Sequence, residues 1–325
     1  MQVEEETKVL VRDMRKHFFV PPSAEESFAG LDAAAALLRP EYQPVFEAFR
    51  HSLMATISTV AMPFSLASAS VERSHFQRFH AAERIRAHDF GDMFTEGDRE
   101  GITNDQEETT AHNEARSRML DFLQSQDGRQ ALVRDTCQFL LASLGRGLER
   151  AAQELLQQGL ALLWSAFEVL CRDTFETALN ANPARAKALI EDPITRKRFE
   201  AGRLPLDTLL QYGFDLSARL GTVLVTQQDF SDLRTTKAVY SVLYPKCGDL
   251  HQALSHRDLW TLFQRRHLVV HRRCVIDQSY LDATGEMLAV GAHLTVTPQD
   301  LEGALDVVSS SGTSLARSIS ESSLS

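Results

Sequence analysis

Several features that would point directly to a function are scarce or missing in this sequence. Only four of its 325 residues are cysteines: Cys137, Cys171, Cys247 and Cys274. They stand far apart and form no Cys-x-x-Cys pair, so neither a zinc cluster nor a disulfide framework is indicated. They read as reduced, mostly buried thiols. Lysine is rare, 6 residues against 28 arginines, and the net charge is −10. A chain that attracts polyanions over its whole surface is basic, so any contact with nucleic acid here must come from a local patch. There is no nucleophile elbow, and Gly145-Arg146-Gly147 lacks the preceding strand that a phosphate-binding glycine loop requires. The opening MQVEEETKVL lacks the basic-then-apolar order of a signal peptide. Residues 52–71 are uncharged and long enough to span a bilayer, but seven hydroxyl side chains and Pro63 leave them poorly apolar. The expectation is a cytoplasmic protein with no membrane partner, in which 52–71 form a buried helix or loop.

What is present is the composition of a soluble globular chain. Hydrophobic residues make up 43% and charged residues 24%, enough to bury a core. At about 150 residues per domain the length allows one large domain or two ordinary ones. Residues 1–118 carry 13 basic and 20 acidic side chains, and residues 119–325 carry 21 and 24. Residues 89–114, DFGDMFTEGDREGITNDQEETTAHNE, are polar and acidic, hold three glycines and show no sustained apolar period. This predicts a helical region of unknown role over 1–118, ending in an acidic linker at about 89–114. A helical domain over 119–320 and a frayed tail over 321–325 follow.

Hydrophobic periodicity predicts helices near 4–19, 41–60, 71–88, 130–144, 148–180, 206–220 and 229–243. In the long run over 148–180, Leu155, Leu156, Leu160, Leu163, Phe167 and Leu170 form one stripe. Ser255-His256-Arg257-Asp258 reads as a capping box ahead of a helix over about 257–271, and Thr297-Pro298-Gln299-Asp300 opens the last helix in the same way. Only 287–296 looks extended, as two short strands about Gly291. The predicted fold is all-α with a minor β-hairpin. His75 and His80, five apart, cannot ligate from one helical face and read as surface histidines.

The helix after Ser255 carries the candidate chemistry. On a wheel of about 100° per residue, Arg266 falls about 20° from Leu259, within a stripe that also holds Leu262, Phe263, Val269 and Val270. An arginine there needs a cleft, an anion or an acidic partner such as Glu168, because burying it unpaired is costly. His271 lies about 140° from Arg266 and about 7.5 Å along the axis. The two could serve one phosphate if the helix ends or bends at the histidine, or if a symmetric partner completes the site. Around them Arg257, Arg265, Arg266, Arg272 and Arg273 form the dense positive patch of an acidic chain. Arg-x4-His alone is a weak signal, and the sequence holds a second copy, Arg12–His17, to which no function is assigned.

The context of the later copy is more specific. RRHLVVHRRCVIDQSYLDATGEMLAVGAHLTVTPQDLEGAL resembles the closing segment of the HEPN superfamily, especially its RiboL-PSP branch. The matching parts are Arg266-His267 with His271, Ile276-Asp277 with Tyr280-Leu281, Gly291 with Leu294 and Val296, and Pro298 onward. Upstream, LLWSAFEVLCRDTFETAL resembles the first long helix of that family, with Glu168 in its acidic place. The resemblance covers about residues 150–320.

It implies a helical bundle that dimerises and brings two Arg/His motifs into one cleft. It also implies metal-independent cleavage of RNA without a cofactor, in a toxin or an anti-phage defence effector held by an antitoxin or defence-system partner. The residue types suit this chemistry. Histidine titrates near neutrality and can move the 2′-hydroxyl or leaving-group proton, and arginine holds a phosphate in a two-point fork as charge builds. On this reading Arg266 and His271 are catalytic. His267 orients RNA or a water, Glu168 supports the site, and Arg265, Arg272 and Arg273 touch the RNA backbone. Some toxins of the family carry a tyrosine two residues after the motif histidine, as the target of a silencing nucleotidyltransferase. Arg273 stands there instead, so that form of control is not supported. The rival readings are a HEPN-like module that binds RNA or a nucleotide without cutting it, and a protein-interaction module.

Overall fold

The computed structural model describes residues 2–22, 24–91, 104–198, 206–226 and 230–324, and these are helical almost throughout. In chain order the helices are α1 (Gln2–Met14), α2 (Ala24–Ala35), α3 (Gln43–Val60), α4 (Met62–Gly91), α5 (Asn104–Gln124), α6 (Gln126–Ser143), α7 (Leu148–Ala181) and α8 (Ala186–Glu191). They continue as α9 (Pro193–Arg198), α10 (Leu206–Gln211), α11 (Leu220–Val225), α12 (Leu233–Leu243), α13 (Gly248–Leu254), α14 (Arg257–Arg272), α15 (Gln278–Thr284) and α16 (Pro298–Leu324). The all-α expectation holds. Among the described residues no single helix is long and apolar enough to cross a membrane. Residues 52–71 form the end of α3 and the start of α4.

The chain divides into two compact units, Met1–Val20 with Ala61–Ala152, and Pro21–Val60 with Gln153–Ser325. The predicted boundary at 118 falls inside α5.

In the first unit α1, α4, α6 and the start of α7 enclose a small core of Met14, Phe18, Ala67, Cys137, Leu140 and Ala152. Of the predicted linker, residues 104–114 are helical, as the first half of α5, and 92–103 lie outside the described residues. The helix was hidden because its buried stripe, Ala111, Ala115 and Met119, spaced by four, begins with two alanines. His75 and His80 are also not the predicted surface residues. His75 Nε2 lies 3.0 Å from Asp135 Oδ2, with its ring stacked on Phe122, and His80 Nε2 lies 3.4 Å from Glu108 Oε1. Glu83 is buried and accepts from Arg86 and Arg118.

The second unit is built around α7. Leu156, Leu160, Leu163, Trp164, Phe167 and Leu170 are all buried, while Leu155 is half-buried. Gly159 lets α7 come close to its neighbours, since a Cβ there would stand 2.7 Å from Val60 and 2.8 Å from Leu301. The predicted helix over 206–220 is broken, because Gly213 and Phe214 take positive φ values of 61° and 63°. Thr297 and Asp300 cap α16 as expected: Asp300 N donates to Thr297 Oγ1 at 3.1 Å and Thr297 N to Asp300 Oδ2 at 2.8 Å. The predicted fraying over 321–325 is not seen through Leu324, where α16 ends.

No strand is present among the described residues. Instead of a hairpin about Gly291, the extended segment pairs with the chain leaving α14. Ile276 N donates to Ala292 O at 2.9 Å and Leu294 N to Cys274 O at 2.7 Å, around a single antiparallel bridge, Val275 to His293. Side chains of α7 fix the same segment, with Gln157 donating to Leu294 O at 2.9 Å and Gln153 to Val296 O at 3.1 Å.

Candidate functional site

Helix α14 starts at Arg257, where it was predicted, but its cap differs. His256, not Ser255, is its N-cap, and His256 Nδ1 accepts from Asp258 N at 3.2 Å. Ser255 instead closes α13. The line of α14 turned inward is Leu259, Leu262, Arg265 and Leu268, spaced by three. Val270, placed in the apolar stripe by the wheel, is 51% exposed. Arg265 sits in the middle of this line, and Arg266, equally shielded with its side chain 18% exposed, faces α7 beside it.

The two arginines have separate partners. Arg265 donates from Nη1 to Asp300 Oδ1 at 2.8 Å, from Nη2 to Glu286 Oε1 at 3.0 Å and from Nε to Tyr280 Oη at 3.4 Å. Tyr280 in turn donates to Glu286 Oε2 at 2.7 Å. Burial opposes the charge on Arg265, but Asp300, Tyr280 and Glu286 outweigh it and raise its proton affinity. Against its burial, the bonds from Arg265 and from the Thr297 hydroxyl and backbone N–H hold the Asp300 carboxyl below the usual range. Burial and the bond to Glu286 push the Tyr280 hydroxyl up to about 12. Arg265 was predicted to touch RNA backbone, yet its fork is directed at internal acids and joins α14, α15 and α16. Tyr280, Glu286 and Asp300 were not singled out for this network in the sequence, because only the fold brings them to one arginine.

Arg266 Nη2 lies 3.8 Å from Glu168 Oε2 on α7. This is the acidic partner that the sequence named for a half-buried arginine. A second link between the same helices is made by Phe263, whose ring lies 5.1 Å from that of Trp164.

His267 and His271 occupy successive turns on the exposed side, with ring centroids 4.8 Å apart. Burial, the His271 ring and the guanidinium groups of Arg272 and Arg266 lower the proton affinity of His267, against the opposite pull of Asp277. α14 ends at Arg272, one residue beyond His271. The chain then turns through two left-handed residues, Arg273 at φ 50° and Cys274 at φ 63°. Arg272 Nε lies 3.4 Å from Asp277 Oδ2, and Asp277 also caps α15 by accepting from Tyr280 N at 2.9 Å. Arg273 is exposed. Thus Glu168 and Arg266 form one cluster, and His267, His271, Arg272 and Asp277 form another at the helix end. No hydrogen bond, ion pair or ring contact joins Arg266 to His271 among the described residues. No protein-family model, curated protein or solved structure matches this chain.

Proposed function

We propose that the chain is a metal-independent endoribonuclease of HEPN type, a toxin or anti-phage defence effector that acts as a homodimer through Arg266 and His271. The observation that carries this reading is the end of α14, where two exposed histidines stand 4.8 Å apart beside exposed Arg272 and Arg273. This is a local cationic patch with proton-transfer groups on a chain of net charge −10. The 2′-hydroxyl attacks phosphorus and the P–O5′ bond breaks. The 2′-hydroxyl gives up its proton and the leaving O5′ gains one; His271 carries one of these transfers and water the other, while Arg266 binds the phosphate oxygens as their charge grows. Because Arg266 and His271 diverge on one helix, a second copy supplies the complementary residue.

A non-catalytic RNA-binding module is the second reading. It is favoured by the 3.8 Å pair of Arg266 with Glu168, which engages the cation within the chain. Purified protein incubated with total RNA, with and without EDTA, separates the two. Catalysis predicts 2′,3′-cyclic phosphate and 5′-hydroxyl ends, in EDTA as without it, and their loss in His271→Ala. Cleavage that leaves 5′-phosphates, needs magnesium or persists in His271→Ala overturns the mechanism, and binding without cleavage selects the module.

A further inference from the structure

A cavity of about 320 Å³ opens beside α14, between the helix and the start of α16. This is within the size range of small-molecule sites, about 300–1,000 Å³. Its apolar lining comes from Leu160, Leu262 and Ala304, all buried side chains. Gly303 of α16 also lines it, and a Cβ placed there would meet nothing within 4 Å. The charged groups of the wall fall into two sets. Arg265, Glu286 and Asp300 bond to one another and hold the wall rigid. Arg257 and Asp258, at the mouth, remain available.

Among the described residues Arg257 makes one long hydrogen bond, from Nη2 to Thr284 O at 3.4 Å. Asp258 Oδ2 lies 3.7 Å from His256 Nδ1, a nitrogen that also accepts the Asp258 backbone N–H at 3.2 Å. Successive helix residues do not face each other, and no ion pair joins Arg257 to Asp258 among the described residues. The Thr261 hydroxyl stands one turn further in, on the same face.

We propose that this cavity binds an apolar α-amino acid as its zwitterion. Arg257 receives the carboxylate in a two-point contact, Asp258 receives the ammonium, and the side chain covers Leu160 and Leu262. A simple anion would meet three carboxylates at this site, and a purely apolar ligand would leave both mouth charges unmatched. The site does not depend on the nuclease reading, because neither Arg266 nor His271 lines it.

Titration calorimetry of the full chain with L-leucine and L-phenylalanine tests the proposal, alongside their N-acetyl and carboxamide derivatives. The free amino acids should bind, and masking either charge should weaken binding at least about tenfold. Gly303→Phe fills the cavity where the backbone leaves open space and should abolish binding. Should that variant fail to give the wild-type melting curve, exposed Arg257→Gln and Asp258→Asn provide the test, each weakening binding about tenfold. Absence of binding at about 10 mM, weaker than any millimolar site, overturns the proposal. So does equal binding of the masked derivatives, or wild-type affinity in folded Gly303→Phe or in both charge variants.

Discussion

Arg265 donates to Asp300 at 2.8 Å, while its chain neighbour Arg266 turns to Glu168 at 3.8 Å, so two adjacent arginines tie α14 to two different helices. The Arg265 side chain is 17% exposed and its acceptors Glu286 and Asp300 are 22% and 27% exposed. Removing Arg265 leaves two carboxylates largely out of water without their cation, held only by Tyr280 and Thr297. Loss of one member of a buried pair costs about 3–5 kcal/mol, so Arg265→Ala should destabilise the second unit by about 3 kcal/mol. Urea titration followed by tryptophan fluorescence reads that unit alone, because the two tryptophans, Trp164 and Trp260, both belong to it. A shift under about 0.5 kcal/mol, the scale of an ordinary surface substitution, would discredit the network.

The same contacts make stability depend on pH. Asp300 is held below its ordinary value of 3.8 in the folded protein. As the pH falls past 3.8, the unfolded chain therefore takes up this proton before the folded one does. The stabilisation is fully present above that value and is lost as pH drops through the lower folded value. In acid titrations watched through the tryptophans, Asp300→Asn should start less stable at pH 6 and lose less on acidification than wild type. Parallel acid curves for the two proteins would remove Asp300 from the account.

Much of the fold was legible because α7, α12 and α14 pair strong apolar periods with clear ends. The partner of Arg266 was legible too, since an arginine beside an apolar stripe calls for a nearby acid, and Glu168 lies on the helix that carries the longest stripe. Helix α5 was not, because alanine contributes little to a hydropathy pattern even where it sets the closest packing. Nor could the wheel separate Arg265 from Arg266. The buried line of α14 advances by three residues instead of following the stripe through Val270, and both arginines are shielded, Arg265 by acids on α16 and beside α15 and Arg266 by Glu168 of α7.

Arg273 closes α14 at φ 50° and ψ 41°, a left-handed position that glycine occupies without a Cβ penalty. Its side chain is exposed, so removing it takes little from the core. Arg273→Gly should stabilise the second unit by about 0.5–1 kcal/mol. Arg273→Val, β-branched in the same region, should destabilise it. Denaturation midpoints that fall in the opposite order would show that contacts of the arginine, not its backbone, govern the turn. If RNA is bound here, Arg273→Gly should also weaken binding while it stabilises the fold, a pairing of effects that damage to the fold cannot produce.

Glu168 gives the sharpest separation between an arginine held for structure and one held ready for phosphate. The carboxylate of Glu168 lowers the energy of Arg266 where it stands, so a phosphate must compete with it. Glu168→Gln keeps the shape of the side chain but removes the charge. For a pair at 3.8 Å, beyond hydrogen-bond distance, the loss of stability should be small, about 1 kcal/mol or less. Under the RNA-binding readings the released guanidinium should bind a single-stranded RNA more tightly, with a steeper dependence of affinity on salt, because one more cation becomes available to phosphate. Fluorescence anisotropy at two salt concentrations measures both quantities, and Glu168→Gln combined with Arg266→Gln should abolish the gain. Should Glu168→Gln instead lower stability by several kcal/mol without changing RNA affinity, the pair would be a structural tie between α7 and α14, and Arg266 would lose its claim to the phosphate.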